Sequence, residues 1–209
     1  AKGIYSVEKF IAARRLMYWQ VYLHKTVLVA EFTIMKVLKR AKQLRLNGIE
    51  LFATPAFDFF LRNKITINEF ENNREVLENF TRLDDYDIFT SMKVWTTHSD
   101  PILSRLSSSI INRRLPKVEI QNEPFDNEFV ENIKKETMLE LKLEEDEIDY
   151  FVINDKTSNF TYKIGTDKIG ILNKNGMVMD IAEASDQLNI SLLSKPTTKY
   201  FLCYPKEIN

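Results

Sequence analysis

Residues 6–25, SVEKFIAARRLMYWQVYLHK, decide how this chain is read. On a helix Arg14, Tyr18, Tyr22 and Lys25 follow i, i+4, i+8, i+11 spacing and share one stripe. Phe10, Ile11, Leu16, Met17, Trp19, Val21 and Leu23, continued by Val27, Leu28 and Val29, surround nearly all the remaining circumference. A helix that is apolar on all sides is normally buried. Charge on a buried helix needs partners, because isolated buried charge is costly. An anionic ligand, or carboxylates from another segment, would supply them.

Working outward, Ser6 is the expected N-cap, and the helix runs from about Val7 to Leu46, where Asn47-Gly48 stops it. About forty residues is long for a globular helix, which leaves room for a break or bend near its middle. Its second half, with Lys36, Lys39, Arg40, Lys42 and Arg45, is basic and more amphipathic. Leu51–Leu61 reads as an aromatic-rich connection punctuated by Pro55. Thr66-Ile-Asn-Glu69 is a capping box opening a helix to about Phe80. Asp84 caps a helix through Trp95, and Asp100-Pro101 opens another to about Arg114.

Near Leu115-Pro116 the pattern changes. Lys117–Gln121 alternates like a strand, Asp126 opens a helix to about Leu141, and residues 148–153 read as a second strand. Gly170–Asn173 and Met177–Asp180 flank Lys174-Asn175-Gly176, a strong hairpin signal. A short helix over 182–188 and a strand over 200–204 complete the order. The predicted fold class is mainly α over residues 1–115, followed by a small α+β unit with a mostly antiparallel sheet over 116–209.

Composition narrows the function. At 44% hydrophobic and 28% charged, the chain of 209 residues is ordinary for a globular protein with a real core. Lys plus Arg (29) nearly balance Asp plus Glu (30), so no global field draws it to nucleic acid or to a membrane surface. The single Cys203 excludes an internal disulfide and fits a reducing cytoplasm. No apolar run is long enough to span a bilayer, and five glycines leave no room for a Gly-rich phosphate loop.

Metal and nucleophile chemistry are weakly supported. The two histidines, His24 and His98, form no HxxxH or HExxH motif, and there is no cysteine pair. Cys203 sits in the apolar strand YFLCY, where a thiol packs rather than reacts. Arg113, Arg114 and Lys117 stand at a helix C-terminus. They complement the helix dipole there, or they clamp phosphate, Arg in bidentate fashion and Lys as a point charge.

The segment EKFIAARRLMYWQVYLHKT (residues 8–26) leads into KRAKQL (39–44). Further on stands YDIFTSMKVWTTHSDPILSRLSSSIINRRLPK (86–117). Together they resemble the HD-domain phosphohydrolases related to deoxynucleoside triphosphate triphosphohydrolases. The likeness covers about residues 4–120 and rests chiefly on A-R-x-x-M-Y-x-x-V-Y-x-H-K. It implies that Arg14 reaches substrate phosphates and that Tyr22 packs against the deoxyribose. Tyr18 stands where relatives carry a histidine near the catalytic centre. His24 and Lys25 match residues that touch a regulatory nucleotide in tetrameric relatives. Arg113 and Lys117 match a second such pair, with Pro116 in place of the usual phenylalanine.

The family's metal-binding histidine, His-Asp pair and distant aspartate all precede this helix and are absent here. The resemblance therefore implies the C-terminal portion of a longer cytoplasmic hydrolase. By itself this portion would have no catalytic residue, metal ligand or cofactor, and the complete enzyme would carry a divalent ion. The implied partners are deoxynucleotides in the complete enzyme and further copies of the chain in a homo-oligomer, with no membrane and no specific nucleic acid. A non-catalytic nucleotide-sensing or oligomerisation module is the alternative.

Overall fold

The computed structural model describes residues 2–159, 169–172, 176–185 and 197–208. The N-terminal helix is broken. α1 spans Lys2–Met17, a π-turn occupies Tyr18–Tyr22, and α2 spans Lys25–Leu46. The Leu23 N–H donates to the Tyr18 carbonyl at 2.7 Å, an i to i−5 bond, and Leu23 then leaves helical geometry at φ −101°, ψ 17°. Tyr18, Trp19, Val21 and Tyr22 belong to the types that lose most side-chain freedom against a preceding helical turn. Ser6 lies inside α1 and does not cap it, since the helix already begins at Lys2. α2 ends where expected. Gly48, at φ +82°, lets its own N–H reach the Arg45 carbonyl and the Ile49 N–H reach that of Leu44.

By contacts the chain forms two units, one of Val29–Lys117 and one joining Ala1–Leu28 to Val118–Asn209. The sequence pattern suggested a single cut near residue 115; the grouping of the first helix with the C-terminal segment has no sequence signal.

The Val29–Lys117 unit is all-helical up to its last residue. Pro55 is not loop punctuation but the N1 residue of α3 (Pro55–Arg62), so Phe57, Phe59 and Phe60 sit on a helix. The Thr66–Glu69 capping box opens α4 (Ile67–Asn72) as expected. The predicted continuous helix to Phe80 nevertheless breaks at Asn73, whose extended backbone and side chain cap α5 (Arg74–Phe80). α6 (Asp85–Trp95) starts from an Asp84 capping box, and α7 runs Pro101–Ile111. Val37, Ala41, Phe57, Val76, Met92, Trp95 and Leu103 form part of its buried interior. Trp95 donates Nε1–H to the Phe52 carbonyl at 2.9 Å and lies 5.8 Å from the Phe57 ring.

Beyond the boundary come β1 (Lys117–Gln121), α8 (Asn127–Leu141), a 3-10 turn (Glu145–Tyr150) and β2 (Ile153–Asn159). Residues 148–153 are thus mostly turn, not strand. A Glu144–Glu147 capping box winds the chain there, and the strand starts only at Ile153. β3 (Gly170–Leu172) pairs antiparallel with β4 (Val178–Asp180), the arms of the expected hairpin; its turn, residues 173–175, lies outside the described residues. α9 (Ile181–Ala184) is shorter than the helix expected over 182–188, because Ser185 turns extended at φ −77°, ψ 126°; residues 186–188 lie outside the described residues. β5 (Thr197–Tyr204) is central in the order β1-β5-β2 and pairs antiparallel with β2, Ile153 opposite Cys203. One core joins Val130, Ile133, Ile148, Val152, Leu202 and Tyr204. A second joins Ile11 of α1 to Ile181, with Val7, Ile169 and Ile171 around them. The mainly α architecture with a small α+β part is the fold class expected.

Candidate functional site

α1 and the π-turn carry the site. Arg14, Tyr18 and Tyr22, together with Phe10, Ala13 and Met17, line an open concavity of about 610 Å3. The Arg14 guanidinium carbon lies 5.6 Å from the Tyr18 ring centroid. The Tyr18 and Tyr22 rings meet edge-on, their centroids 5.3 Å apart at 61°. A cation held over an aromatic face keeps its charge available to solvent or to an anion while its stem is packed. Three of the four residues picked out by spacing are therefore brought together, and Lys25 is not. Phe10, Ala13 and Met17, three or four positions along the same face, were the neighbours to add, and helical spacing carries that signal.

The helix that bears them is not buried. Phe10 is 62% exposed, Leu16 56%, Met17 46% and Tyr22 53%, and Arg14 is exposed too. The expectation of a stripe needing partners for buried charge is corrected here, because the described residues leave most of this helix open. The buried ionisable group on α1 is instead Glu8, 2% exposed, whose Oε1 accepts a hydrogen bond from Ser185.

His24 and Lys25 stand past the break, and Lys25 does not line the concavity. The His24 Nδ1 accepts the Thr26 N–H at 3.3 Å, so the ring caps the start of α2. Arg113 and Lys117 lie in the other unit. Arg113 adopts φ +56° in a Schellman turn. Its N–H reaches the Ile110 carbonyl, and the Arg114 N–H reaches that of Ser109. An arginine thus occupies a position normally given to glycine, at a cost of roughly 1–2 kcal/mol. Lys117 is exposed at the start of β1.

Other polar clusters are structural. Asp100 caps α7 by accepting the Leu103 N–H at 2.7 Å and takes Arg40 at 2.6 and 3.2 Å. Burial pushes the Asp100 carboxyl up, but the bonds from Arg40 and Leu103 outweigh it and hold it below the ordinary value. The His98 Nδ1 accepts the Asp100 N–H at 3.0 Å. Ser104 and Ser108 both donate to the Thr96 carbonyl. Burial raises the Cys203 thiol to about 12, which rules it out as a nucleophile at neutral pH. Among the described residues no three His, Cys, Asp or Glu side chains come together as metal ligands. The divalent ion implied by the resemblance therefore finds no ligand set on them. Among the same residues no helix is long and apolar enough to cross a membrane.

No family model matches the chain. The crystal structure of a phosphohydrolase from Bacteroides thetaiotaomicron VPI-5482 is similar at a TM-score of 0.89 and 49% identity, over 98% of this chain and 51% of that one. The uncharacterized protein YwfO of Bacillus subtilis (strain 168) is 30% identical over 218 residues, 99% of this chain and 46% of its own length. The chain spans about half the length of these relatives.

Proposed function

We propose that this chain is the substrate-pocket and assembly part of a phosphohydrolase that acts, in its complete form, on deoxynucleoside triphosphates. The observation that carries the reading is the meeting of Arg14, Tyr18 and Tyr22 around one concavity. Support for the hydrolase class comes from the likeness to a protein named a phosphohydrolase. In this reading the Arg14 guanidinium donates charge-assisted hydrogen bonds to phosphate oxygens. The Tyr22 ring packs on the sugar and fills the space a 2′-hydroxyl would need. Tyr18, edge-on to Tyr22 and beneath Arg14, orients both. The divalent ion of the complete enzyme belongs to residues outside this chain, as does the attack on phosphorus. The enzyme is read as cytoplasmic and homo-oligomeric, and Lys25, His24, Arg113 and Lys117 as contacts for a regulatory nucleotide.

The test uses the full-length protein. Arg14→Ala is expected to lower kcat/KM for dGTP by roughly 2–4 kcal/mol in transition-state terms. Tyr22→Ala is expected to weaken discrimination between dGTP and GTP more than it lowers turnover. An unchanged dGTP-to-GTP rate ratio with a lowered melting temperature would reduce Tyr22 to a packing residue.

A further inference from the structure

A side chain of the C-terminal strand reaches the π-turn that carries two of the three pocket residues. The Lys199 ammonium of β5 lies 6.0 Å from the ring centroid of Trp19. The same nitrogen donates to the Asn122 side chain just beyond β1. Trp19 follows Tyr18 directly and lies within the five residues closed by the bond from the Leu23 N–H to the Tyr18 carbonyl. Successive side chains in such a turn are fixed to one backbone, so a clamp on Trp19 sets the rotation at which Tyr18 and Tyr22 are presented. Isolated π-turns are strained relative to α-helix and persist where their surroundings hold them. Tyr18 and Tyr22 face the concavity, and Trp19 is not among its lining residues.

We propose that Lys199 is a positioning residue for the pocket: held by Asn122, it seats on Trp19 and locks the π-turn so that Tyr18 and Tyr22 keep their edge-on geometry. The inference rests on the pocket reading above and gives the C-terminal α+β segment a direct part in it. Lys199 is not among the residues lining the concavity and acts through Trp19. A guanidinium can make the same cation–aromatic contact, whereas a neutral side chain of similar length cannot.

The experiment compares wild type, Lys199→Arg and Lys199→Met by two readouts. The first is amide hydrogen exchange at Leu23, which reports the bond that closes the turn whether or not a nucleotide binds. Lys199→Met is expected to speed that exchange roughly two- to fivefold, with exchange in α8 unchanged and with recovery in Lys199→Arg. The second is dGTP binding to the full-length protein, expected to weaken by a similar factor in Lys199→Met and to recover in Lys199→Arg. Unchanged Leu23 exchange overturns the proposal. So does faster exchange spread equally over α8, which marks a general loss of stability, and so does faster Leu23 exchange with unaltered dGTP binding. Faster Leu23 exchange in a protein whose wild type binds no dGTP upholds the clamp and defeats the nucleotide reading, so the two failures are distinct.

Discussion

At the scale of single residues, Arg113 and Asp100 make contrasting predictions. Arg113 holds a left-handed conformation at φ +56° that glycine would adopt without strain. Arg113→Gly is therefore expected to stabilise the protein by about 0.5–1 kcal/mol, net of the extra freedom glycine gives the unfolded chain. Under the regulatory reading the same change weakens binding of a nucleoside triphosphate. A gain in melting temperature with no change in binding would leave Arg113 as a helix terminator only. Asp100 both caps α7 and pairs with Arg40, their side chains 11% and 14% exposed. Asp100→Ala is expected to cost about 2–3 kcal/mol, from the lost cap and the lost ion pair with Arg40, which keeps its bond to Gln43. Because its folded value lies below the unfolded one, its contribution is complete above the ordinary aspartate range and fades as pH falls through the folded value. Asp100→Asn keeps the cap and removes the titration. The gap in melting temperature between wild type and Asp100→Asn should narrow as pH falls through and below the ordinary aspartate range; a gap that stays constant would contradict the assignment.

Among the elements, the break at Leu23–His24 matters most, since it ends the pocket stripe at Tyr22 and lets α2 start afresh from His24. The His24 ring accepts the Thr26 N–H through Nδ1. His24→Ala is expected to destabilise by about 0.5–1 kcal/mol, whereas His24→Asn, a good N-cap, should restore most of it. Urea midpoints of the two variants check this, and equal losses would assign His24 some role other than capping. Two serines of α7 are explained at this scale as well. Ser104 and Ser108 satisfy the Thr96 carbonyl at the end of α6, so their hydroxyls are engaged as helix-terminal donors.

At the scale of the whole molecule, the open face of α1 is the feature with consequences. Phe10, Leu16, Met17 and Val21 are 44–62% exposed along one short stretch. Phe10, Met17 and Val21 recur at seven- and four-residue spacing on one face, and apolar surface grouped in that way marks an interaction site. The isolated chain is expected to self-associate at tens of micromolar and to bind an apolar dye, with both effects reduced by Phe10→Glu. A strictly monomeric, dye-silent species by sedimentation and fluorescence would contradict this. The isolated chain is also expected to release no triphosphate from dGTP with Mg²⁺, Mn²⁺ or Co²⁺. Metal-dependent release that Arg14→Ala abolishes would place the chemistry on this chain after all.

The amino-acid sequence by itself determined whatever depends on neighbours within a turn or two. The capping boxes at Thr66 and Asp84, the Asp100-Pro101 start and the Gly48 stop all rest on bonds between residues three to five apart. So did the Arg14–Tyr18–Tyr22 stripe, which a single helical face brings together. Tertiary structure decided what depends on packing. The aromatic content of residues 57–60 read as connection until Pro55 became a helix start and Phe57 met Trp95. Residues 148–153 read as strand because a short apolar run fits either a strand or a turn, and only the β2–β5 register separates them. The burial of Glu8 against Ser185 and the seating of Lys199 on Trp19 join residues 177 and 180 positions apart. Local propensity says nothing over such separations, since those contacts exist only once the chain has closed on itself.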